Sequence, residues 1–253
     1  MSVPRPVALV TGAARRIGLG IAGDLARHGY RVALHARSQA TADRAAHELR
    51  HEGGDVHAVS GDLTDMDAVT RLFAGVTARL GPVDLLVNNA SLFKDDSATD
   101  FEWPLWDAHF AVHVKAPVLL ARLMAETLPE ARDGLIVNII DQRVERLNPR
   151  FFSYTLSKSA LWTATRTLAQ SLAPRIRVNA IGPGPTLANE RQSGADFLRQ
   201  TQGLLLGRGP ELAEFGATIR WLAQARSVTG QLIQLDGGQH LAWETPDVAG
   251  IPE

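Results

Sequence analysis

The strongest constraint on the fold is a regular alternation of short apolar runs with longer segments of helical pattern. The runs that we predict to be strands read PVALV, RVALH, VHAV, DLLV, LIVNII, IRVNAI and QLIQL. The helices that we predict between them are Ile17–His28, Thr41–His51, Met66–Leu80, Pro104–Leu128 and Phe151–Leu172. This order is typical of parallel strands joined by helices, and strands without polar alternation are typical of a sheet covered on both faces. We therefore predict one α/β domain, residues 1–253, with a doubly wound parallel sheet.

Composition narrows the class of ligand. The chain has 253 residues, a hydrophobic content of 45%, a net charge of −1 and no cysteine. The near-neutral charge without a basic stripe argues against nucleic acid, and the absence of cysteine excludes disulfides and thiolate chemistry. No apolar stretch approaches the roughly 20 residues of a membrane span, and no signal-peptide pattern opens the sequence. We expect a soluble cytoplasmic protein that acts on a small molecule.

One connection is unusually long. Residues 185–209 exceed the ordinary length of a loop between elements, and long loops in compact domains are commonly functional. We interpret this stretch as a substrate lid that contains a short helix.

A glycine-rich turn follows the first predicted strand. In TGAARRIGLG, Gly12, Gly18 and Gly20 permit a tight turn and close approach of a pyrophosphate to a helix N-terminus. The second strand ends in LHARS, where an acidic residue would bind the ribose of NAD. Arg37 and Ser38 suit a 2′-phosphate instead, and Arg15 can add a second guanidinium. We predict NADPH as the cofactor.

Tyr154 and Lys158 lie four residues apart, which places them on one face of a helix. A neighbouring ammonium favours the phenolate, so we expect Lys158 to lower the pKa of Tyr154 and make it a usable acid or base. Asp141 ends the apolar run GLIVNII, from which a strand could deliver its carboxylate to the same cleft. We predict Asp141, Tyr154 and Lys158 as the catalytic residues.

Together these segments resemble the short-chain dehydrogenase/reductase family over nearly the whole chain. The matching motifs are the glycine turn, Asp62-Leu63, Asn88-Asn89-Ala90, Tyr154xxxLys158, Asn179, Pro183-Gly184 and LDGG at residues 235–238. The resemblance implies a Rossmann-like domain in which Lys158 holds the nicotinamide ribose and Tyr154 transfers the proton. It also implies a homotetramer built through the helices Pro104–Leu128 and Phe151–Leu172. The cofactor-binding residues that we predict are Gly12, Arg15, Arg16, Ile17, Gly18, His35, Arg37, Ser38, Asp62, Leu63, Asn89, Ala90, Ser91, Tyr154, Lys158, Pro183 and Gly184.

Three departures from the family pattern point to a subgroup. Arg16 replaces the usual glycine, Asp141 the usual serine and His113 the usual asparagine. With NNAS before an aromatic, the IIDQRVER segment, Asn189-Glu190 and LDGGQHL, the chain is similar to the pteridine reductases, and most to the bacterial dihydromonapterin reductases. That resemblance implies that Phe93 stacks on a pterin. The polar edge of the pterin would be bound by Arg16, Ser91, Asp141 and Tyr154.

The chemistry of Asp141 agrees with a pterin substrate. A ketone reductase needs a hydroxyl donor at this position, whereas a carboxylate only accepts and would repel a developing oxyanion. A pterin presents N–H and amino donors that a carboxylate can accept. We therefore predict an NADPH-dependent reductase of a C=N bond in a dihydropterin or dihydrofolate-like substrate. The alternatives are a carbonyl reductase of the 3-oxoacyl or sugar-ketone kind and a non-catalytic NADP(H)-binding sensor.

Two histidine features need separate interpretation. The sequence His47-Glu48-Leu49-Arg50-His51 spells HExxH, a zinc-protease pattern, but its helix lies far from the carboxyl ends where α/β sheets bind ligands. We predict no metal site. His113 could serve proton traffic or only fill space, and the sequence leaves both open.

Overall fold

Seven parallel strands form the central sheet of the computed structural model, which describes residues 5–188, 192–245 and 249. The strands are β1 (Val7–Val10), β2 (Arg31–Ala36), β3 (Val56–Ser60), β4 (Leu85–Asn88), β5 (Gly134–Ile139), β6 (Ile176–Pro183) and β7 (Leu232–Leu235). Their order across the sheet is β3-β2-β1-β4-β5-β6-β7, and every pairing is parallel. The predicted doubly wound, Rossmann-like sheet is confirmed.

Helices cover both faces of the sheet. They are α1 (Arg16–Arg27), α2 (Gln39–His51), α3 (Met66–Leu80), α4 (Trp103–Phe110), α5 (Ala116–Thr127), α6 (Phe152–Leu172), α7 (Gly194–Gln202) and α8 (Leu212–Gln224). One apolar layer joins the sheet to α1, α2 and α8, and the other joins it to α3, α5 and α6. No helix within residues 5–188 and 192–245 is long and apolar enough to cross a membrane.

The continuous apolar runs have a direct structural reason. In β1, Ala8 and Val10 pack into one layer while Val7 and Leu9 pack into the other, and all four are buried. Because side chains alternate between the faces of a strand, a sheet covered on both sides needs apolar residues at every position.

The predicted helix Pro104–Leu128 is interrupted. A π-helical turn at Ala111–Lys115 separates α4 from α5. Pro117 has no N–H with which to close the α-helical bond to the carbonyl of residue 113, so the ladder is rearranged at this point. The turn brings His113 to the interior, where its side chain is 1% exposed.

The long connection after β6 contains α7, as the sequence predicted, with Ser193 as its N-cap. Residues 189–191, and with them the Asn189-Glu190 motif, lie outside the described residues.

The strand order reverses between β1 and β4. Loops that leave the carboxyl ends of these two strands diverge, which opens the crevice where such sheets bind ligands. The glycine turn follows β1, Asn89 follows β4 and Asp141 follows β5, so the predicted site residues gather at one edge of the sheet.

Candidate active site

The glycine turn after β1 is built for close approach. Gly12 has φ +60°, and a Cβ on it would lie 2.7 Å from Ala90 Cα. A Cβ on Gly18 would lie 2.4 Å from the Asn89 side-chain nitrogen. Only glycine fits both positions, and the turn leads into the N-terminus of α1, whose free N–H groups favour an anion. These residues fit the pyrophosphate of a dinucleotide.

Asn89 and Thr11 hold this turn in place. The Asn89 Nδ2 group donates to the carbonyls of Thr11 and Gly12 at 2.9 and 3.0 Å. The Thr11 hydroxyl oxygen accepts from the backbone N–H groups of Asn89 and Ala90, both at 3.0 Å. Asn89 and Ala90 therefore shape the cofactor crevice through the backbone of the turn.

His35, predicted to bind the cofactor, lies inside the protein against the glycine turn. It is 2% exposed, its Nδ1 accepts from the N–H of Gly12 at 3.1 Å, and its Nε2 lies 3.0 Å from the Gly61 carbonyl. Both ring nitrogens are thus occupied by the protein. His35 positions the glycine turn, and burial lowers the pKa of its imidazole, which stays neutral.

Arg16 joins the glycine turn to the start of the predicted lid. Its backbone has φ 54°, the left-handed region that glycine adopts without strain, which accounts for the glycine typical of this position. Its guanidinium donates to the carbonyls of Leu187 and Ala188 at 3.0 and 2.8 Å. Arg15 is exposed and Ile17 half-buried on either side of it.

The residues predicted to select the adenosine phosphate lie at the ends of β2 and β3. Arg37 and Ser38 are exposed immediately after β2, and Leu63 is buried close by. The backbone N–H and hydroxyl of Thr64 both donate to Asp62 and hold the pKa of its carboxyl below the usual value, with a smaller contribution from Arg37. Arg37 and the Asp62-Leu63 segment therefore lie in one corner of the crevice.

On the opposite side, Pro183 and Gly184 end β6. A Cβ on Gly184 would lie 2.6 Å from Asp236 Cα, so glycine is required for the close approach of the two strand ends. These residues form the wall of the crevice next to the predicted lid.

Asp141 and Tyr154 meet at the centre of the site. The Tyr154 hydroxyl donates to Asp141 Oδ2 at 2.8 Å, and the backbone N–H of Arg143 donates to Asp141 Oδ1 at 2.9 Å. The Asp141 side chain is 19% exposed, which leaves it accessible from the cleft. Tyr154 itself is 4% exposed, and its ring packs edge-on against Phe93, His109 and His113.

The predicted effect of Lys158 on Tyr154 is wrong for this structure. Burial raises the pKa of Tyr154 well above its usual value, and the Asp141 carboxylate raises it further because it accepts the phenol proton. The ammonium of Lys158 lies 5.8 Å from the tyrosine ring centroid, and burial together with the carboxylate 2.8 Å from the hydroxyl sets the direction of the shift. Burial also raises the pKa of Asp141, against the opposing hydrogen bonds from Arg143 and Tyr154.

Lys158 is buried beneath the cleft. Its Nζ donates to the Ile139 carbonyl at 2.8 Å, and the side chain is 1% exposed. Burial lowers the pKa of Lys158 to about 8, although the Asp141 carboxylate acts in the opposite direction. This amine therefore changes charge within the range of pH in which enzymes are assayed.

An aromatic wall flanks Tyr154. Phe93 is half-buried, stacks on Phe151 with ring centroids 4.3 Å apart, and meets Tyr154 edge-on at 4.8 Å. The Arg143 guanidinium lies 4.8 Å from the Phe151 ring centroid and 5.9 Å from that of Phe93. Phe93 was predicted from the sequence, whereas Phe151 and Arg143 were not; the IIDQRVER segment, which contains Arg143, was the available signal.

Ser91 is exposed at the mouth of the cleft, where its hydroxyl partly offsets the rise in the pKa of Tyr154. The same hydroxyl lies 3.1 Å from His113 Nε2. His113, whose role the sequence left open, therefore contacts the site. His113 is the link that sequence reasoning could not assign.

The two histidines of the HExxH pattern lie against each other at the surface. His47 and His51 lie on the exposed side of α2, with their Nε2 atoms 2.9 Å apart. Within the described ranges, no group of three or more histidine or acidic side chains is arranged to hold a metal ion.

Comparisons with known proteins agree with this geometry. A family model described as short chain dehydrogenase matches residues 6–196. The chain is 31% identical over 240 residues to the 3-oxoacyl-[acyl-carrier-protein] reductase of Staphylococcus epidermidis, covering 92% of this chain and 98% of the other. It is 32% identical over 240 residues to the gluconate 5-dehydrogenase of Gluconobacter oxydans, covering 91% and 93%.

Among solved structures, the chain is similar to the FolM alternative dihydrofolate reductase 1 of Brucella suis in complex with NADP. The identity is 58%, the TM-score 0.93, and the match covers 98% of this chain and 100% of the other. A blue fluorescent protein from a metagenomic library, in complex with NADPH, is 30% identical with a TM-score of 0.84, covering 92% and 97%. The fold, the Tyr154–Lys158 pair and these matches together show that the chain belongs to the short-chain dehydrogenase family.

Proposed function

We propose that this protein is an NADPH-dependent reductase that converts a C=N bond of a dihydropterin, such as dihydromonapterin or a dihydrofolate-like substrate, to the tetrahydro form. The observation that carries the proposal is the Asp141 carboxylate hydrogen-bonded to Tyr154 beside the half-buried ring of Phe93. The similarity to an alternative dihydrofolate reductase at 58% identity supports it.

The cofactor-binding residues would be those that frame the crevice. The glycine turn and the N-terminus of α1 would receive the pyrophosphate, and Arg37, Ser38 and Arg15 would receive a 2′-phosphate. Asp62 and Leu63 would border the adenosine, and Lys158 would hold the nicotinamide ribose. When bound, the nicotinamide supplies the hydride. Two similar proteins that were solved with NADP support this choice of cofactor.

The substrate-binding residues would be Phe93, Asp141, Ser91 and Arg16. Phe151 covers one face of Phe93, so the other face would stack on the flat pterin. The Asp141 carboxylate would accept from the pterin N–H and amino groups, because an ionised carboxylate has only acceptor oxygens. Ser91 and Arg16 would bind the remaining polar edge.

Tyr154 would supply the proton to the ring nitrogen beside the carbon that receives the hydride. Its raised pKa keeps the phenol protonated near neutral pH, as a proton donor requires. Lys158 and Asp141 would keep its hydroxyl oriented, one by charge and the other by the 2.8 Å hydrogen bond. The chain's own contribution is thus to hold donor and acceptor in place and to deliver one proton.

A carbonyl reductase is the second candidate. Its support is the identity of 31–32% to a 3-oxoacyl reductase and a gluconate dehydrogenase. The charge of Asp141 argues against it, since an oxyanion that develops on a ketone would meet a carboxylate in place of a hydroxyl donor.

The deciding experiment is NADPH oxidation measured against dihydromonapterin, dihydrofolate, a 3-oxoacyl thioester and a sugar ketone. We expect turnover with the dihydropterins and at most weak turnover with the ketones. Efficient ketone reduction without pterin turnover would replace this proposal by the second candidate. NADPH binding without turnover of any substrate would favour a non-catalytic sensor.

We also propose a homotetramer assembled through α4–α5 and α6. These helices expose apolar side chains, including Trp103 at 64%, Leu156 at 38% and Val118 at 37%. Light scattering coupled to gel filtration measures the mass directly, and a monomer of 27.3 kDa would contradict the proposal. The stretch 185–209 would act as the substrate lid, joined to the glycine turn through Arg16.

A further inference from the structure

Two histidine–serine pairs connect α4 and the π-helical turn that follows it to α6. His109 Nδ1 lies 2.7 Å from the Ser153 hydroxyl, and one helical turn later His113 Nδ1 lies 2.7 Å from the Ser157 hydroxyl. The two imidazoles are stacked with ring centroids 5.6 Å apart, and both are fully buried. Both pairs use Nδ1 to contact a serine of α6. Among the described residues, only His113 also contacts the active site, through Nε2.

The contacts of His113 fix the position of its proton. The backbone N–H of Leu92 donates to Nε2 at 3.1 Å, so Nε2 is unprotonated. The hydrogen is therefore on Nδ1, which donates to Ser157, and the Ser157 hydroxyl donates onward to the Tyr154 carbonyl at 2.7 Å. Burial, and after it the charge of Lys158, lower the pKa of His113 well below its usual value, which keeps the ring neutral.

The Nε2 side of His113 faces the segment that carries Ser91. The Ser91 hydroxyl lies 3.1 Å from Nε2 and close enough to Tyr154 to lower the pKa of its phenol in part. Through Nε2, His113 therefore contacts Ser91 and Leu92. Through Nδ1 and Ser157, it is connected to the carbonyl of Tyr154 in α6. The π-helical turn at Ala111–Lys115 gives the imidazole this position between the two segments.

We propose that His113 is a positioning residue for proton transfer, which sets the Ser91 hydroxyl against Tyr154 through the acceptor Nε2. The proposal rests on the proposed function only in taking Tyr154 as the proton donor. Loss of Nε2 releases the Ser91–Leu92 segment, so the Ser91 hydroxyl is no longer held beside Tyr154, whose phenol stays hydrogen-bonded to Asp141. The rate of the chemical step then falls, whereas the dinucleotide crevice, built from other residues, is unaffected.

His109 provides a matched control. The Ser153 hydroxyl donates to Asp96, so His109 also carries its hydrogen on Nδ1 and donates to Ser153. Its Nε2 is buried with no hydrogen-bond partner among the described residues. The two histidines therefore differ in what Nε2 does.

The test exploits the lengths of two amides. Asparagine places its amide near the position of Nδ1, and glutamine places its amide one carbon farther, near Nε2. His113→Asn should keep the Ser157 contact and lose the grip on Ser91, so kcat should fall about tenfold or more with the pterin KM and NADPH affinity changed less than about twofold. His113→Gln should restore most of kcat. His109→Asn should retain wild-type kcat, because it removes no contact of Nε2.

A double-mutant cycle identifies the route. Ser91→Ala should lower kcat by a similar factor, and His113→Asn in that background should cause no further loss, since both changes remove the same link. Equal and independent losses from the two changes, or equal losses in His113→Asn and His109→Asn, would overturn the proposal. Melting temperatures and NADPH titrations show whether each variant folds; if His113→Asn does not, Ser91→Ala and His113→Gln carry the comparison.

A measurement without substrate separates this inference from the proposed function. Imidazole nitrogen chemical shifts, recorded on protein with ¹⁵N-labelled histidine and assigned with His113→Gln, report which nitrogen bears the proton. We expect a neutral ring with the proton on Nδ1. A proton on Nε2 would overturn the inference even if pterins are reduced. If ketones are reduced and pterins are not, the proposed function fails, and the cycle is measured on the ketone.

Discussion

The Tyr154 hydroxyl donates a 2.8 Å hydrogen bond to Asp141, and this bond defines the chemical character of the site. The carboxylate draws the phenol hydrogen towards itself and raises the pKa of Tyr154, which burial has already raised. Tyr154 is therefore a protonated donor in the free protein, and Asp141 retains acceptor capacity towards the cleft.

Asp141→Ser should separate the two enzymatic interpretations. Pterin turnover should be largely lost, because the substrate's buried donors would go unpaired at about 1–3 kcal/mol, or roughly tenfold for each 1.4 kcal/mol. Ketone reduction should rise, since serine supplies a hydroxyl donor. The measurement is kcat/KM for one dihydropterin and one activated ketone.

Asp141→Asn is the matched control for shape, because it keeps the size and one acceptor oxygen while it removes the charge and replaces the other oxygen by an NH2 donor. Its pterin turnover should lie between those of the wild type and Asp141→Ser, with NADPH binding unchanged in both variants. Undiminished pterin turnover in Asp141→Ser would remove Asp141 from substrate binding.

Arg37→Asp tests the choice of cofactor. The change removes a charge-assisted phosphate contact and adds repulsion, so NADPH binding should weaken by about 1.5–3 kcal/mol while NADH binding changes far less. Fluorescence titration with both dinucleotides measures this. Arg50→Asp, an equal charge change at an exposed position near the end of α2, should leave the preference intact. Wild-type protein that binds the two dinucleotides equally well would contradict the role of Arg37.

Phe93→Ala tests the stacking surface. The KM for the pterin should rise by the equivalent of about 0.5–1.5 kcal/mol, the typical value of an aromatic contact, with a modest loss of stability from the exposed face of Phe151. Phe73→Ala is the contrasting control, because Phe73 is 2% exposed in the core and should lose about 3–5 kcal/mol of stability. A stability loss at Phe93 as large as that at Phe73, with unchanged KM, would place Phe93 in the core.

Lys158 should impose an alkaline limit on activity. Its pKa is lowered to about 8, so kcat/KM, which reports the free enzyme, should fall as pH rises through that value and the ammonium loses its charge. A profile that stays level up to pH 10 would show that the charge is not required.

The lowered pKa of Lys158 also predicts that the free energy of unfolding rises with pH, whereas activity falls. A depressed pKa in the folded state means that Lys158 stabilises the fold above its unfolded pKa of 10.5 and that this stabilisation is lost as pH falls to about 8. Relative to Lys158→Met, the wild type should gain about 3 kcal/mol between those values of pH. Chemical denaturation of both proteins at several pH values measures the difference.

The sequence by itself determined the sheet and the location of the site. Strands buried on both faces must be apolar at every position, so β1, β4 and β5 could be recognised without reference to distant residues. Because the carboxyl ends of parallel strands meet at one edge, Gly12, Asn89 and Asp141 could be assigned to a common crevice. Short local motifs sufficed where the physical constraint was itself local.

Only the tertiary structure decided how these groups act on one another. Lys158 is close to Tyr154 in sequence, but burial of the ring and the hydrogen bond to Asp141, which comes from another segment, raise the pKa of Tyr154 instead of lowering it. Both ring nitrogens of His35 are hydrogen-bonded to the backbone of Gly12 and Gly61. His113 contacts Ser91 because separate segments of the chain pack together. Charges and hydrogen bonds act over distances of a few ångströms in space, and the sequence order does not specify which distant groups will lie that close.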